Sequence, residues 1–200
     1  MDNASENITR AEAKERSTLI AVQSYDVVLD VTSDGPTFPS RTTVAFTCHE
    51  PGATTWIDLI APAVHSVTLN GVALDVATAV DGARIVLPAL AAENTVEVVA
   101  DCAFMNTGEG LHRFVDPVDD EVYLYSQFEV PDSRRVYAVF EQPDLKATFA
   151  FTATVPDHWV VVSNQPAPEP VPGGEGRATW AFEPTPRISS YITALCAGPY

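Results

Sequence analysis

The clearest candidate for chemistry in this sequence is a pair of polar residues, Gln127 and Glu129, separated by one aromatic residue. The stretch 122–129 alternates as a β-strand does, which directs Phe128 toward a core and both polar side chains to the opposite face. An amide oxygen beside a carboxylate can accept hydrogen bonds from a small cation such as an ammonium group. The same spacing is also typical of the outward row of a half-buried strand, so both interpretations stay open on spacing alone.

The sequence lacks the spacing patterns of several well-known catalytic sites. It has no H-E-x-x-H, the helical pattern that places two zinc-binding histidines on one face, and it has no Gly-rich phosphate loop or Gly-x-Ser-x-Gly. His49-Glu50 is followed by Pro51, which excludes a helical zinc motif at that point. The four histidines are scattered singly, at His49, His65, His112 and His158. We therefore expect no catalytic residue and no metal site in these residues.

Two other kinds of binding site are only weakly indicated. Asp116, Asp119 and Asp120 lie in a Gly- and acid-rich stretch, 105–120, that we expect to form a long loop. Such a loop could hold calcium, but a solvated acidic loop is the more frequent arrangement. A sugar-binding sandwich would need an aromatic platform, whereas the tryptophans stand in predicted strands among apolar neighbours, and Trp56 is expected in the core.

Composition limits the partners and the compartment. The 200 residues are 46% hydrophobic, which allows a sizeable core, and the net charge of −16 argues against nucleic acid and anionic membranes as partners. No apolar run approaches the roughly 20 residues of a membrane span, and the N-terminus lacks the apolar core of a signal peptide. Three widely spaced cysteines, Cys48, Cys102 and Cys196, favour reduced thiols in a cytoplasmic protein.

The elements that position the polar pair are predicted to be mostly strands. Thr9 with Glu12 three residues later is a capping-box pattern, which predicts a helix from about residue 10 to 23. Asn70-Gly71 is a strong hairpin signal. A short helix or turn is expected near 131–139 and a Pro/Gly turn at 166–176. Strands are predicted at 25–31, 41–49, 54–60, 64–69, 72–76, 84–87, 95–104, 121–129, 146–155, 159–162, 178–182 and 191–197. This order predicts an all-β antiparallel sheet or sandwich.

Three consecutive motifs resemble the signature of the aminopeptidase N family. The members of this family are zinc aminopeptidases of the gluzincin type. They read S-Q-F-E at 126–129, D-S-R-R at 132–135 and F-E-Q-P-D-L-K-A-T-F at 140–149. The departures from the family pattern are mild: Ser133 replaces Ala, Glu141 replaces Asp, and Gln142 replaces Glu. Further segments that agree are N-T-G-E-G-L-H-R-F at 106–114, V-S-N at 162–164 and Y-I-T-A-L-C-A-G at 191–198. The resemblance covers most of the chain and is closest to the bacterial cytoplasmic type.

The resemblance implies that residues 1–200 are an N-terminal, saddle-like β-domain lying against a catalytic domain that follows residue 200. That domain of the same chain would carry the G-A-M-E-N motif and the zinc helix, so residues 1–200 alone would bind no zinc and be inactive. Gln127 and Glu129 would bind the α-amine of a peptide N-terminus. Arg134 and Arg135 would be structural, and related enzymes have a cis peptide bond at the position of Glu129–Val130. The alternative is a non-catalytic β-sandwich binding or scaffold module.

Overall fold

Within residues 7–200, which the computed structural model describes, fifteen β-strands form three open sheets. The elements in chain order are α1 (Arg10–Leu19), β1 (Ile20–Asp30), β2 (Thr37–Cys48), β3 (Thr55–Asp58), β4 (Ala63–Leu69), β5 (Val72–Leu74), α2 (Val76–Ala79), β6 (Val80–Asp81), β7 (Arg84–Leu87), β8 (Glu93–Ala103), β9 (Gly110–Val115), β10 (Val122–Gln127), a 3₁₀ helix (Ser133–Arg135), β11 (Thr148–Pro156), β12 (Val160–Ser163), β13 (Val171–Gly174), β14 (Arg177–Ala181), a second 3₁₀ helix (Ser190–Ile192) and β15 (Leu195–Gly198). The predicted all-β class is confirmed.

The largest sheet has eight strands in the order β13-β14-β11-β1-β2-β8-β4-β5. The others are a four-stranded sheet, β12-β15-β10-β9, and a three-stranded sheet, β3-β7-β6. Strand pairs are antiparallel except β1 with β11, which run parallel. The expectation of a purely antiparallel sheet is wrong at this one pair. The two strands are far apart in the sequence, so no short hairpin forces them to run in opposite directions.

Helix α1 begins as predicted and ends earlier than predicted. The Thr9 side chain accepts the backbone N–H of Glu12, and the Glu12 carboxylate accepts the backbone N–H of Thr9 at 2.7 Å. The helix stops at Leu19 instead of residue 23, because Ile20 pairs with Cys48 and begins β1. Burial of alternate apolar residues in the long strand outweighs the helical preference of this segment.

Two strands lie in segments that were predicted to be irregular. Strand β9 occupies part of the expected loop 105–120, where Leu111 is fully buried and pairs with Ser126 of β10. Strand β13 lies within the expected turn 166–176 and forms an exposed edge beside β14. The hairpin at Asn70-Gly71 is confirmed, with positive φ angles of 53° and 80° at the two turn residues.

An aromatic cluster packs residues of β1 and β11, in the eight-stranded sheet, against the segment that follows β10. The Tyr137 ring makes edge contacts with Tyr25, Phe128, Phe149 and Phe151, with ring centroids 5.6–6.4 Å apart. The Tyr25 hydroxyl accepts the backbone N–H of Phe140 at 3.1 Å, which ties the segment after β10 to β1. The predicted anchoring of Phe128 in a core is therefore confirmed.

The contact between α1 and β7 gives the first testable prediction. Arg84 Nη1 donates a hydrogen bond to Glu12 Oε1 at 2.6 Å. This bond, together with the one from the Thr9 backbone N–H, lowers the pKa of the Glu12 carboxyl from 4.5 to about 2. Because the folded pKa is depressed, this contribution to stability is present above pH 4.5 and is lost as the pH falls toward 2. We expect Glu12→Gln to lower the free energy of unfolding by about 1 kcal/mol at pH 7, measured by denaturant titration.

The comparison with Glu15→Gln controls for the general loss of a carboxylate, since Glu15 is exposed on the same helix. The difference in free energy of unfolding between Glu12→Gln and the unsubstituted protein should narrow steadily below pH 4. A difference that stays constant down to pH 2 would contradict the assigned role of the Glu12 charge.

Candidate functional site

The candidate site is the end of β10, where the chain leaves the four-stranded sheet. Gln127 is the last residue of the strand, Phe128 is buried, and Glu129 begins the following turn. Both Gln127 and Glu129 are exposed. The Gln127 Oε1 atom accepts the backbone N–H of Glu129 at 2.7 Å, which holds the amide group beside the turn. The two predicted binding residues therefore lie side by side, fixed by a buried ring between them and by one local hydrogen bond.

This arrangement leaves acceptor capacity that faces solvent. An amide oxygen has two lone pairs, so Gln127 Oε1 can accept one further hydrogen bond beyond that from Glu129. The exposed Glu129 carboxylate accepts only when it is ionised, and it then favours a cationic donor. Each of the two groups can therefore accept an N–H group from a cation in solution.

The backbone at the site differs from that implied by the family resemblance in one respect. In residues 7–200 the cis peptide bond lies between Val130 and Pro131, one position after the bond that is cis in related enzymes, and the Glu129–Val130 bond, whose form the sequence left open, is not cis. The 3₁₀ helix Ser133–Arg135 follows, shorter than the predicted 131–139 segment.

Arg135 packs against the strand that flanks the site. Its Nε atom donates to Asp132 Oδ1 at 2.8 Å, and its Nη2 atom lies 3.4 Å from Glu109 Oε2. Arg135, which the resemblance implied to be structural, thus forms salt bridges with two neighbouring carboxylates. Arg134 is buried, and its backbone N–H donates to Glu141 Oε2 at 2.9 Å.

A buried polar network lies behind the site, and sequence reasoning did not identify it. Arg16 of α1 donates to Asp58 Oδ2 at 2.8 Å and to Gln142 Oε1 at 3.1 Å. Asp58 Oδ2 also accepts the backbone N–H of Glu141 at 3.1 Å. The network therefore joins α1, β3 and the segment after the 3₁₀ helix. The only signal in the sequence was that Glu141 and Gln142 belong to the third motif, and nothing pointed to Arg16 or Asp58.

Burial controls the protonation of Glu141 in this network. Its desolvation raises the pKa of the Glu141 carboxyl, while hydrogen bonds from Ser190 Oγ at 2.7 Å and from the Arg134 backbone oppose that rise. A cavity of about 250 Å³ adjoins this carboxyl and reaches Val130 and Pro131 of the turn. The hydrogen bond from Arg134 thus joins the Glu141 carboxylate to the 3₁₀ helix that follows the candidate site.

Trp56 is not a core residue, contrary to the prediction. Its ring is half-buried, with the guanidinium of Arg16 4.8 Å and that of Arg84 4.4 Å from the ring centroid. Its indole N–H donates to Asp58 Oδ1 at 3.2 Å. On the short strand β3, the Trp56 side chain faces the charged network. Its ring therefore makes cation–π contacts with the two arginines and does not fill the core.

Two tyrosines of β10 share the outer face with Gln127. Tyr125 is 41% exposed and stacks on His112 of β9, with ring centroids 4.6 Å apart. The Tyr123 hydroxyl donates to Asp119 Oδ2 at 3.0 Å, and its ring contacts Tyr200. The sheet therefore presents aromatic surface next to the acceptor pair.

The other candidate ligands do not come together. Asp116 Oδ1 accepts the backbone N–H of Val118 and Asp119 Oδ1 that of Glu121, so these carboxylates stabilise the turn between β9 and β10. In residues 7–200 no three His, Cys, Asp or Glu side chains are grouped so that they could hold a metal ion. In the same residues, no helix has the length and apolar character needed to cross a bilayer.

Gly110 provides a direct test of the packing around the site. It has φ +60°, and an ideal Cβ there would lie only 2.9 Å from Arg135 Cβ. Gly82 has nearly the same φ, +59°, with no atom within 4 Å of its ideal Cβ. Both Ala variants suffer the strain of positive φ, about 1 kcal/mol, but Gly110→Ala must also displace Arg135.

We expect Gly110→Ala to lower the free energy of unfolding by roughly 1–3 kcal/mol more than Gly82→Ala does, measured by denaturant unfolding. Equal losses in the two variants would mean that Arg135 does not pack on Gly110 as described.

Comparison with known proteins places the chain in a family. A family model described as the peptidase M1 N-terminal domain matches residues 21–192. An aminopeptidase N from Streptomyces lividans is 59% identical over 197 residues, covering 97% of this chain and 22% of the relative. An aminopeptidase N from Acetobacter pasteurianus is 41% identical over 75 residues, covering 38% of this chain and 21% of the relative. The chain thus spans about a fifth of the length of these relatives. With most of its length matched by the family model, the chain belongs to the family of peptidase M1 N-terminal domains, those of the aminopeptidase N proteins.

Proposed function

We propose that this chain is the amine-anchoring domain of a zinc aminopeptidase that removes N-terminal amino acids from peptides. The observation that carries the proposal is the exposed acceptor pair at the end of β10, in which Gln127 Oε1 holds the turn that bears Glu129. Membership of the family supports the connection with peptide hydrolysis. The proposal assigns substrate binding to Gln127 and Glu129 and no catalytic step to residues 1–200.

The chemistry of the pair suits selection of a free N-terminus. An α-ammonium group is cationic and has three N–H donors, whereas an internal peptide nitrogen is neutral and has one. A charge-assisted hydrogen bond contributes about 1.5–3 kcal/mol, so two acceptors discriminate strongly in favour of the ammonium group. With the ammonium held by this pair, the first peptide bond lies at a fixed distance from the anchor.

The catalytic residues belong to a domain that follows residue 200 in the proposed full-length protein. That domain would hold a zinc ion, which when bound supplies Lewis-acid polarisation of a carbonyl, and would carry the glutamate of G-A-M-E-N, which would share the ammonium with Gln127 and Glu129. Residues 1–200 alone are then inactive.

We place the protein in the cytoplasm, a compartment that suits its three unpaired cysteines. Burial raises the pKa of the Cys102 thiol to about 12, which keeps it unreactive.

The test is the complete reading frame together with the metal content of its product. We expect G-A-M-E-N followed by H-E-x-x-H and a further Glu downstream of Tyr200, about one zinc per chain by elemental analysis, and release of N-terminal residues from peptides. A product that lacks both motifs and binds no zinc would contradict the proposal. It would instead support the non-catalytic binding or scaffold module.

A further inference from the structure

An arginine side chain lies next to the acceptor pair at the end of the four-stranded sheet. Gly110, the first residue of β9, lies opposite Gln127 in the β9–β10 register. An ideal Cβ at Gly110 would lie 2.9 Å from Cβ and 3.4 Å from Cδ of Arg135. Because facing residues of paired strands are about 5 Å apart, the Arg135 guanidinium lies within roughly 12 Å of the Gln127 backbone.

A bare guanidinium at this distance would oppose the binding of a second cation. Charges separated by about a Debye length still interact, and the interaction grows as the salt concentration falls. Arg135 is therefore a disadvantage for an ammonium anchor unless its charge is compensated.

Two carboxylates, one on each side of the site, compensate the positive charge of the Arg135 guanidinium. Asp132, in the turn after Glu129, accepts from Arg135 Nε at 2.8 Å, and its side chain is only 16% exposed. Glu109, the residue before Gly110, reaches Arg135 Nη2 at 3.4 Å and is 46% exposed. The three side chains together carry one negative charge, and they join the start of β9 to the turn after the acceptor pair.

We propose that Asp132 and Glu109 mask the charge of Arg135, so that Gln127 and Glu129 can bind a cationic N-terminus. Asp132 and Glu109 are positioning residues, which touch Arg135 and not the substrate. This inference rests on the proposed function, since it explains how an ammonium site tolerates a neighbouring cation. Arg135 in turn packs on Gly110 and holds the two edges of the site together.

The experiment uses isosteric variants in the full-length enzyme with an aminoacyl p-nitroanilide as substrate. Asp132→Asn keeps an oxygen for Arg135 Nε and removes only the charge. In about 10 mM salt we expect it to raise KM about twofold to fivefold with kcat little changed, and Glu109→Gln to raise KM less. Both increases should shrink at about 1 M salt. Adding Arg135→Met to Asp132→Asn should return KM toward the original value, because the unmasked cation is then gone.

A matched control is Glu175→Gln, which removes one carboxylate from the turn between β13 and β14 and should leave KM unchanged. A rise in KM that is independent of salt, or that Arg135→Met does not reverse, would overturn the masking role. Glu109→Gln keeps the test decisive if Asp132→Asn does not fold, because Glu109 is half-exposed. Glu129→Ala, measured alongside, separates the two proposals. If Glu129→Ala is defective and Asp132→Asn is normal, only the masking fails; if Glu129→Ala is normal, the ammonium anchor itself fails.

Discussion

In the proposed full-length aminopeptidase, Glu129→Ala is expected to lower kcat/KM for aminoacyl substrates by roughly tenfold or more. The carboxylate is exposed at the end of β10, where it can accept a charge-assisted hydrogen bond from the substrate ammonium. Loss of one such bond costs about 1.5–3 kcal/mol, and about 1.4 kcal/mol corresponds to a factor of ten. The measurement is steady-state kinetics on a series of aminoacyl p-nitroanilides.

Glu183→Ala is the matched control for this prediction. Glu183 is an exposed carboxylate two residues after the end of β14, a strand of the eight-stranded sheet. Its removal changes the net charge by the same amount and should leave kcat/KM within about twofold. If the two variants have the same kinetics, Glu129 does not anchor the substrate.

Asp58→Ala is expected to cause the largest loss of stability, about 3–5 kcal/mol in the free energy of unfolding. Asp58 is 5% exposed and accepts hydrogen bonds from Arg16, from the Trp56 indole and from the Glu141 backbone. Its truncation leaves the fully buried guanidinium of Arg16 without its counter-charge, which is the costly half of a buried ion pair. Urea unfolding monitored by tryptophan fluorescence measures the change.

The control for this variant lies within the third motif. Asp144 is exposed, and Asp144→Ala should change the free energy of unfolding by less than about 0.5 kcal/mol. A loss below 1 kcal/mol for Asp58→Ala would show that the Arg16–Asp58 contact does not hold α1 against β3.

The strands were predictable where alternation was long and uninterrupted. Strand β7 lies at 84–87 as predicted, whereas β1, β2 and β8 begin two to five residues before their predicted starts and end one residue before their predicted ends. Strands β9 and β13 were missed because their segments are rich in Gly or Pro, residues that ordinarily mark turns. Pairing with a neighbouring strand, rather than any local preference, gives them their extended conformation.

The two parts of the site differ in how far the sequence could reveal them. Alternation around Phe128 predicted both Gln127 and Glu129 on one face of a strand, and Phe128 is buried as expected, but β10 ends at Gln127 and Glu129 lies in the turn that follows. The polar network could not be predicted in this way. Arg16 contacts residues 42 and 126 positions away, so only the folded topology brings them together. Trp56 was placed wrongly for the same reason, since its cationic neighbours come from α1 and β7.

The most direct test of the central claim is how strongly the site discriminates a free amine. L-leucinamide and 4-methylpentanamide differ only in the α-amino group, and both can be measured as competitive inhibitors of the full-length enzyme. We expect L-leucinamide to inhibit at least about tenfold more tightly, and the Gln127→Ala/Glu129→Ala double variant to lose most of that ratio. A ratio that the double variant leaves unchanged would contradict the assignment of the ammonium anchor to these two residues.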